Sequence, residues 1–225
     1  MTNCVITYLF GNNKEIIRKP RVIDEDTEYL CITDNKNLKV DVWKPIYEPM
    51  KEISSLRDKV ALVKFNPFKY TTAKNILVMD GTLEIKKSLA PIFEDIENYD
   101  IGLKLHTYHF NLKEELPHWK KRNLSDMDIT KFYVMAKIDN IDLSKVTEYE
   151  GCLILYKNNS FCKEFCDKLL MYMNFLGNGK NMIVTNQCPL SYLIYKNYRN
   201  NKIYKIDQFN YFNRYIHNSN KKWNK

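Results

Sequence analysis

Short apolar runs alternate along the whole chain with stretches whose apolar residues recur at helical spacing. Residues 3–10, NCVITYLF, are apolar at nearly every position, as a strand buried on both faces requires, and Gly11-Asn12-Asn13 breaks the run. EYLCITDN (28–35) reads as a second strand, and the proline-punctuated WKPIYEP (43–49) as an edge strand or loop. From Ser54 to Phe65 the positions Leu56, Val60, Val63 and Lys64 fall near helical spacing, with Ser54 or Ser55 as cap and Pro67 as the stop. Ile76 to Met79 is the most apolar strand, and it runs straight into Asp80, Gly81 and Thr82 before a second alternation, Leu83-Glu84-Ile85.

Lys86 to Ile96 fits a helix with Pro91 in its first turn. DIGLKLH (100–106) returns to strand, and residues 111–122 and 126–138 suit helices, the second capped by Ser125 or Asp126. GCLILY (151–156) is another buried strand. Residues 160–176 form a strong amphipathic helix with Phe161, Phe165, Leu169, Met173 and Leu176 on one face, ended by Gly177 and Gly179. A helix over 186–197 and a strand over 202–206 complete the pattern. Strands alternating with helices predict an α/β domain around a central, mostly parallel (mixed) sheet flanked by helices. Ligands of such sheets lie beyond the carboxyl ends of the strands. Asp80 is therefore either the start of an Asp-Gly hairpin turn or a ligand-binding carboxylate at a strand end.

Composition narrows the class. With 225 residues, 44% hydrophobic and 28% charged, and no repeat or low-complexity linker, one globular domain over 1–225 is expected. No apolar run spans a bilayer, so no transmembrane segment is expected. The first residues lack the basic lead and cleavage site of a signal peptide, which predicts a cytoplasmic protein. The six cysteines are scattered in apolar runs, and Cys162 and Cys166, four apart on a helix with no matching pair, read as reduced core thiols rather than zinc ligands. The net charge of +8 comes from lysines dispersed along the chain, with no arginine-rich block or RNA-binding signature, so a solvated lysine surface explains most of it.

The tail RYIHNSNKKWNK carries His217, Lys221, Lys222 and Trp223. Imidazole ligates manganese, and lysines meet a diphosphate as point charges. A frayed basic terminus is the plainer reading. Taken with Asp80-Gly81-Thr82, the tail resembles the His…Gly…Lys-Pro-Trp ending of glycogenin-like family 8 glycosyltransferases of the GT-A fold. It is two residues shorter, and Asn220 and Lys222 stand where Gly and Pro are usual. TNQCPLSYLIYKN resembles the Asp-Gln helix start of these enzymes, with Asn186 for the aspartate. KFNPFKYTTAKNILVMDGTLEI and LHTYHFNLKEEL are similar to segments of the glycosyltransferase-like family of bacterial polysaccharide loci and plant mucilage proteins, with His109 where arginine is usual. The size is also similar to that of a compact viral capsid-glycosylating enzyme.

The resemblance implies a nucleotide-binding half (about 1–105) and an acceptor-side half (about 106–225). It implies a donor that is a nucleoside-diphosphate sugar, UDP first, with Mn2+ or Mg2+ as cofactor. The acceptor would be a glycan, glycoprotein or other hydroxyl, with no nucleic acid expected as partner. Asp80, Thr82 and His217 would hold the metal, Thr82 standing where a second acid is usual. Lys64, Lys221 and Lys222 would meet the diphosphate, and Tyr8, Gly11, Thr33 and Asp34 would surround base and ribose. His106, Glu114 and Glu115 would face sugar or acceptor, one carboxylate serving as general base if the reaction inverts. The family 8-like tail leans towards retention.

Three other readings compete. A nucleic-acid-binding module would use the lysines and the sixteen tyrosines. A nucleotidyltransferase would want a second clustered carboxylate beside Asp80. A catalytically degenerate glycosyltransferase scaffold would explain Thr82 and Asn186.

Overall fold

The computed structural model describes residues 2–11, 17–118, 126–177, 187–207 and 212–218, with the backbone alone at His217 and Asn218. In chain order these form β1 (Asn3–Leu9), β2 (Thr27–Thr33), β3 (Lys44–Tyr47), α1 (Leu56–Phe65), β4 (Asn75–Met79) and β5 (Leu83–Ile85). There follow α2 (Ala90–Asp95), β6 (Ile101–Leu105), α3 (Leu112–Glu115), α4 (Asp126–Ile138), β7 (Tyr149–Lys157) and α5 (Ser160–Leu176). Last come α6 (Gln187–Tyr198), β8 (Ile203–Ile206), α7 (Asn213–Tyr215) and β9 (Ile216–Asn218).

The predicted α/β architecture is what the structure has. Among the described residues a seven-stranded sheet runs in the order β3-β2-β1-β4-β7-β6-β8. β3, β2, β1 and β4 are mutually parallel, β7 is antiparallel to both its neighbours, and β8 is parallel to β6. The central strands are buried on both faces, which is why β1 and β4 read as continuous apolar runs rather than alternations. Ile6, Ile76, Val78 and Ile154 point to one core, where Phe165 and Leu169 of α5 pack. Val5, Leu77, Met79 and Leu155 point to the other, covered by Ile92 and Phe93 of α2.

The cap of α1 is one of the two serines expected, and that of α5 is Asn159, which its sequence pattern does not single out. Ser55 accepts from the Asp58 N–H at the start of α1 (3.3 Å), and Asn159 accepts from the Cys162 N–H at the start of α5 (2.8 Å). All six cysteines are free thiols. Cys162 and Cys166 lie on the buried face of α5, where burial pushes Cys162 up to about 12.

Two expectations change. The helix expected from Lys86 begins only at Ala90, because residues 86–89 are held by partners outside a helix. The Lys86 N–H donates to the Tyr215 carbonyl (2.7 Å), and the Leu89 N–H to Asp24 (2.8 Å). The helix expected over 111–122 is the short α3 followed by one 3-10 turn through His118, and residues 119–122 lie outside the described residues. The segment Asp80-Gly81 is a turn, closed by the Leu83 N–H on the Asp80 carbonyl (3.0 Å), but it is not a β-hairpin. β5 leaves the main sheet and pairs antiparallel with β9 in a separate ribbon.

Candidate functional site

β1 sits in the middle of the parallel half, with β2 on one side and β4 on the other. The chain thus departs from β1 in opposite directions, which opens a crevice at the carboxyl ends of β1 and β4, where open α/β sheets take their ligands. The crevice is a cavity of about 280 Å³ lined by Tyr8, Phe10, Lys64, Asp80, Gly81 and Thr82, among others.

Its polar centre is a triad. The Tyr8 hydroxyl donates to Asp80 Oδ1, and Lys64 Nζ, from the last turn of α1, lies 2.8 Å from the same oxygen. The Lys64 side chain is only 7% exposed, so its ammonium is held by Asp80 and by the face of Tyr8, 5.6 Å to the ring centroid, rather than by water. Asp80 Oδ2 has no partner among the described residues, and its side chain is 32% exposed. Gly81 fits because β1 presses against the turn: a Cβ there would lie 2.9 Å from the Tyr8 carbonyl oxygen and 3.0 Å from Ile17 Cδ1.

Gly11 adopts φ +76°, a left-handed conformation that suits glycine, and donates its N–H to Asp34 Oδ1 at 2.9 Å. Lys59 Nζ pairs with Asp34 Oδ2 (3.3 Å) and donates to the Pro49 carbonyl (2.9 Å). Thr33 is buried, accepting from the Asn35 N–H at its hydroxyl and from the Glu48 N–H at its carbonyl. Gly11, Thr33 and Asp34 therefore build the rim beside the cavity and do not line it.

His217 lies in β9 opposite Glu84, so the ribbon brings the backbone of the terminal segment to the strand that follows the Asp80 turn. Its side chain lies outside the described residues, as do Lys221, Lys222, Asn186, Asn220 and Trp223.

The acceptor-side candidates form a second cluster just past β6. His106 Nδ1 accepts the N–H groups of Tyr108 (3.2 Å) and His109 (2.9 Å), so the proton of the neutral ring resides on Nε2. Burial pushes the His106 pKa down, outweighing the upward pull of Glu150 and Glu115. The fully buried Glu115 carboxylate lies 3.3 Å from His109 Nε2 and 3.8 Å from His106 Nε2. The His106 and His109 rings are stacked, with centroids 5.1 Å apart and 27° between their planes. Glu114 is turned to the backbone. It accepts from the Phe110 N–H (3.0 Å) and the Asn111 side chain (2.7 Å), while Asn111 accepts the Glu114 N–H, a reciprocal cap of α3.

One pair was missed in the sequence. Lys104, 1% exposed, forms a 2.8 Å ion pair with Glu150 and hydrogen bonds to Thr107 Oγ1 and the Leu105 carbonyl. Glu150 also accepts from the Thr107 N–H (2.9 Å) and hydroxyl (2.8 Å), which ties the loop after β6 to β7. Burial alone would raise the Glu150 pKa, but the Lys104 charge and these hydrogen bonds hold it below the usual carboxylate range. Between the two ion pairs sits Cys152, whose thiol is raised well above its ordinary value by burial, with Glu150 and Asp80 adding to it. A lysine inside the apolar run of GLKL was the available signal.

Among the described residues no group of three or more His, Cys, Asp and Glu is gathered around a possible ion. The free Asp80 Oδ2 fits a divalent cation that brings waters and phosphate oxygens as its other ligands, as Mg2+ and Mn2+ do at diphosphates. No described helix is long and apolar enough to cross a membrane. In comparisons with known proteins, the chain matches no protein-family model and no curated protein.

Proposed function

We propose that the chain is a glycosyltransferase that moves a sugar from a nucleoside-diphosphate sugar, with UDP as the first choice of nucleotide, to a hydroxyl acceptor. The observation that carries this reading is the placement of Asp80, Lys64 and Tyr8 together in the crevice between the carboxyl ends of β1 and β4. The resemblance described above agrees with it.

In this reading the diphosphate enters the cavity against Lys64, whose ammonium exchanges part of its contact with Asp80 for a phosphate oxygen. That cation opposes the charge that develops on the departing diphosphate, and because it is already desolvated it needs little reorganisation to do so. Asp80, through Oδ2, with Thr82 beside it, would hold a divalent cation, which supplies Lewis-acid stabilisation of the leaving group. Tyr8 holds Asp80 Oδ1, which leaves Oδ2 for a ligand, and Phe10 would offer an apolar wall for the base. Glu115 is wholly buried beside His106 and His109, so it does not itself face an acceptor.

The test is release of nucleoside diphosphate from a panel of UDP-, GDP-, CDP- and ADP-sugars, with and without manganese. One nucleotide class is expected to turn over, and Asp80→Asn to lower the rate by at least about 100-fold, as loss of a group stabilising the transition state does. Release from none of the donors, across a range of hydroxyl acceptors, sinks the proposal.

A further inference from the structure

A second groove opens on another part of the molecule, between the loop that precedes β7, the carboxyl end of α6 and the edge strand β8. It encloses about 360 Å³, within the range of small-molecule sites, and shares no lining residue with the Asp80 cavity. Three cations, Lys145, Arg199 and Lys205, converge on it, each from a different one of those elements, and no carboxylate lines it. None of the three forms an ion pair with a described residue, whereas Lys64, Lys104, Lys59, Lys131 and Lys196 all do. Asp142 feels the charge of Lys145, but its Oδ1 is taken by the Ser144 N–H (3.0 Å) and hydroxyl (2.7 Å). A cation past the end of α6 is favoured by the helix dipole, which accounts for Arg199 alone and not for the convergence.

The remaining walls are mixed. Tyr195, Ile194 and Ile203 supply an aromatic and apolar side, while Thr147 and Asn201 supply hydrogen-bonding groups. The Asn201 amide nitrogen donates to Asp100 (3.1 Å), leaving its Oδ1 without a described partner. The floor is preformed and satisfied, since the buried Ser191 hydroxyl accepts the Tyr149 N–H and donates to the Gln187 carbonyl. Cations answer charge, an arginine fork answers a planar or tetrahedral oxyanion in two-point fashion, and an aromatic wall with amide and hydroxyl groups answers a sugar ring.

We infer that this groove binds an anionic carbohydrate, a sugar bearing carboxylate, sulfate or phosphate. The compact form favours an oligosaccharide over a nucleic-acid strand, whose backbone wants an extended stripe of cations. The site stands independently of the transferase reading. Its use as the grip on an acidic acceptor rests on that reading.

The experiment is fluorescence anisotropy at fixed ionic strength with a labelled, heparin-derived sulfated tetrasaccharide. Unlabelled maltotetraose and a short single-stranded oligonucleotide serve as competitors. The wild-type chain is expected to bind the tetrasaccharide, and maltotetraose not to displace it. Arg199→Glu with Lys205→Glu is expected to weaken binding at least about tenfold, the effect of losing one charge-assisted hydrogen bond or more. Lys39→Glu with Lys87→Glu, an equal charge change at two exposed sites elsewhere, is expected to leave binding unchanged. Equal weakening by that control pair would reduce the binding to general surface charge and overturn the inference. So would undiminished binding by the Arg199→Glu/Lys205→Glu variant, or an oligonucleotide that binds more tightly and is lost in that variant. Thermal melts of each variant show that it folds. Nucleotide binding at Asp80 is read separately, so failure of one site is distinguishable from failure of the other.

Discussion

Asp80 combines two states of one carboxylate: Oδ1 is held by Tyr8 and Lys64, and Oδ2 has no partner among the described residues. Removing Lys64 leaves Asp80 without its counter-ion, and removing Asp80 leaves a buried ammonium, so the two substitutions are not equivalent. Asp80→Ala is expected to lower stability by about 3–5 kcal/mol, the cost of breaking a buried pair, with Asp80→Ala/Lys64→Met recovering much of it. Chemical denaturation of the three proteins checks this, and additive losses would contradict it. Gly81→Ala is expected to cost about 1–3 kcal/mol, because the new methyl meets the Tyr8 backbone rather than a yielding side-chain end. His106 has a pH signature. Its folded pKa is lowered, so the native state binds its proton less readily than the unfolded chain. The stability it contributes is present above the unfolded value near pH 6.5 and is lost as pH falls through the folded value. His106→Asn, which keeps an acceptor for the Tyr108 and His109 N–H groups, is expected to flatten that part of the stability–pH curve. An unchanged slope would contradict the assignment.

At the scale of elements, the sequence was most legible where the period was long and local. α5 follows from its apolar face, and Phe165 is wholly buried on that face. Phe165→Ala is expected to cost about 3–5 kcal/mol, measured as a loss in unfolding free energy. β4 was equally plain as a continuous apolar run. The Asp-Gly dipeptide was ambiguous because a hairpin and a strand-to-ribbon turn share the same local chemistry. What separates them is the pairing of β5 with β9, over a hundred residues away, which no local pattern carries. The late start of α2 has the same cause, since the residues before it are held by Asp24 and Tyr215. Among site residues, Asp80, Lys64 and Tyr8 were found from strand ends and motif, and they do meet. Glu114 entered the candidate site through the resemblance of LHTYHFNLKEEL to a paired-Glu segment, and it lies at the start of α3 as a cap. Lys104 and Glu150 escaped notice because their partnership spans two antiparallel strands and their burial is invisible in a list of charges.

For the whole molecule, the sheet order fixes where chemistry is possible. Four parallel strands, with the chain leaving β1 to either side, open a crevice at the ends of β1 and β4, and the chain places the buried Lys64 and the partly exposed Asp80 there. The +8 charge then divides into parts with different meanings: lysines locked into pairs, lysines dispersed in solvent, and three cations gathered on the groove beside β8. The measurement that bears most directly on the central claim is thermal stability with UDP, GDP, CDP and ADP, each with and without manganese. One nucleotide is expected to raise the melting temperature in a metal-dependent way, by an amount equivalent to roughly 2.7 kcal/mol at 100 times its dissociation constant. Asp80→Ala is expected to abolish that shift. No shift with any nucleotide, or a shift that Asp80→Ala leaves intact, would contradict it.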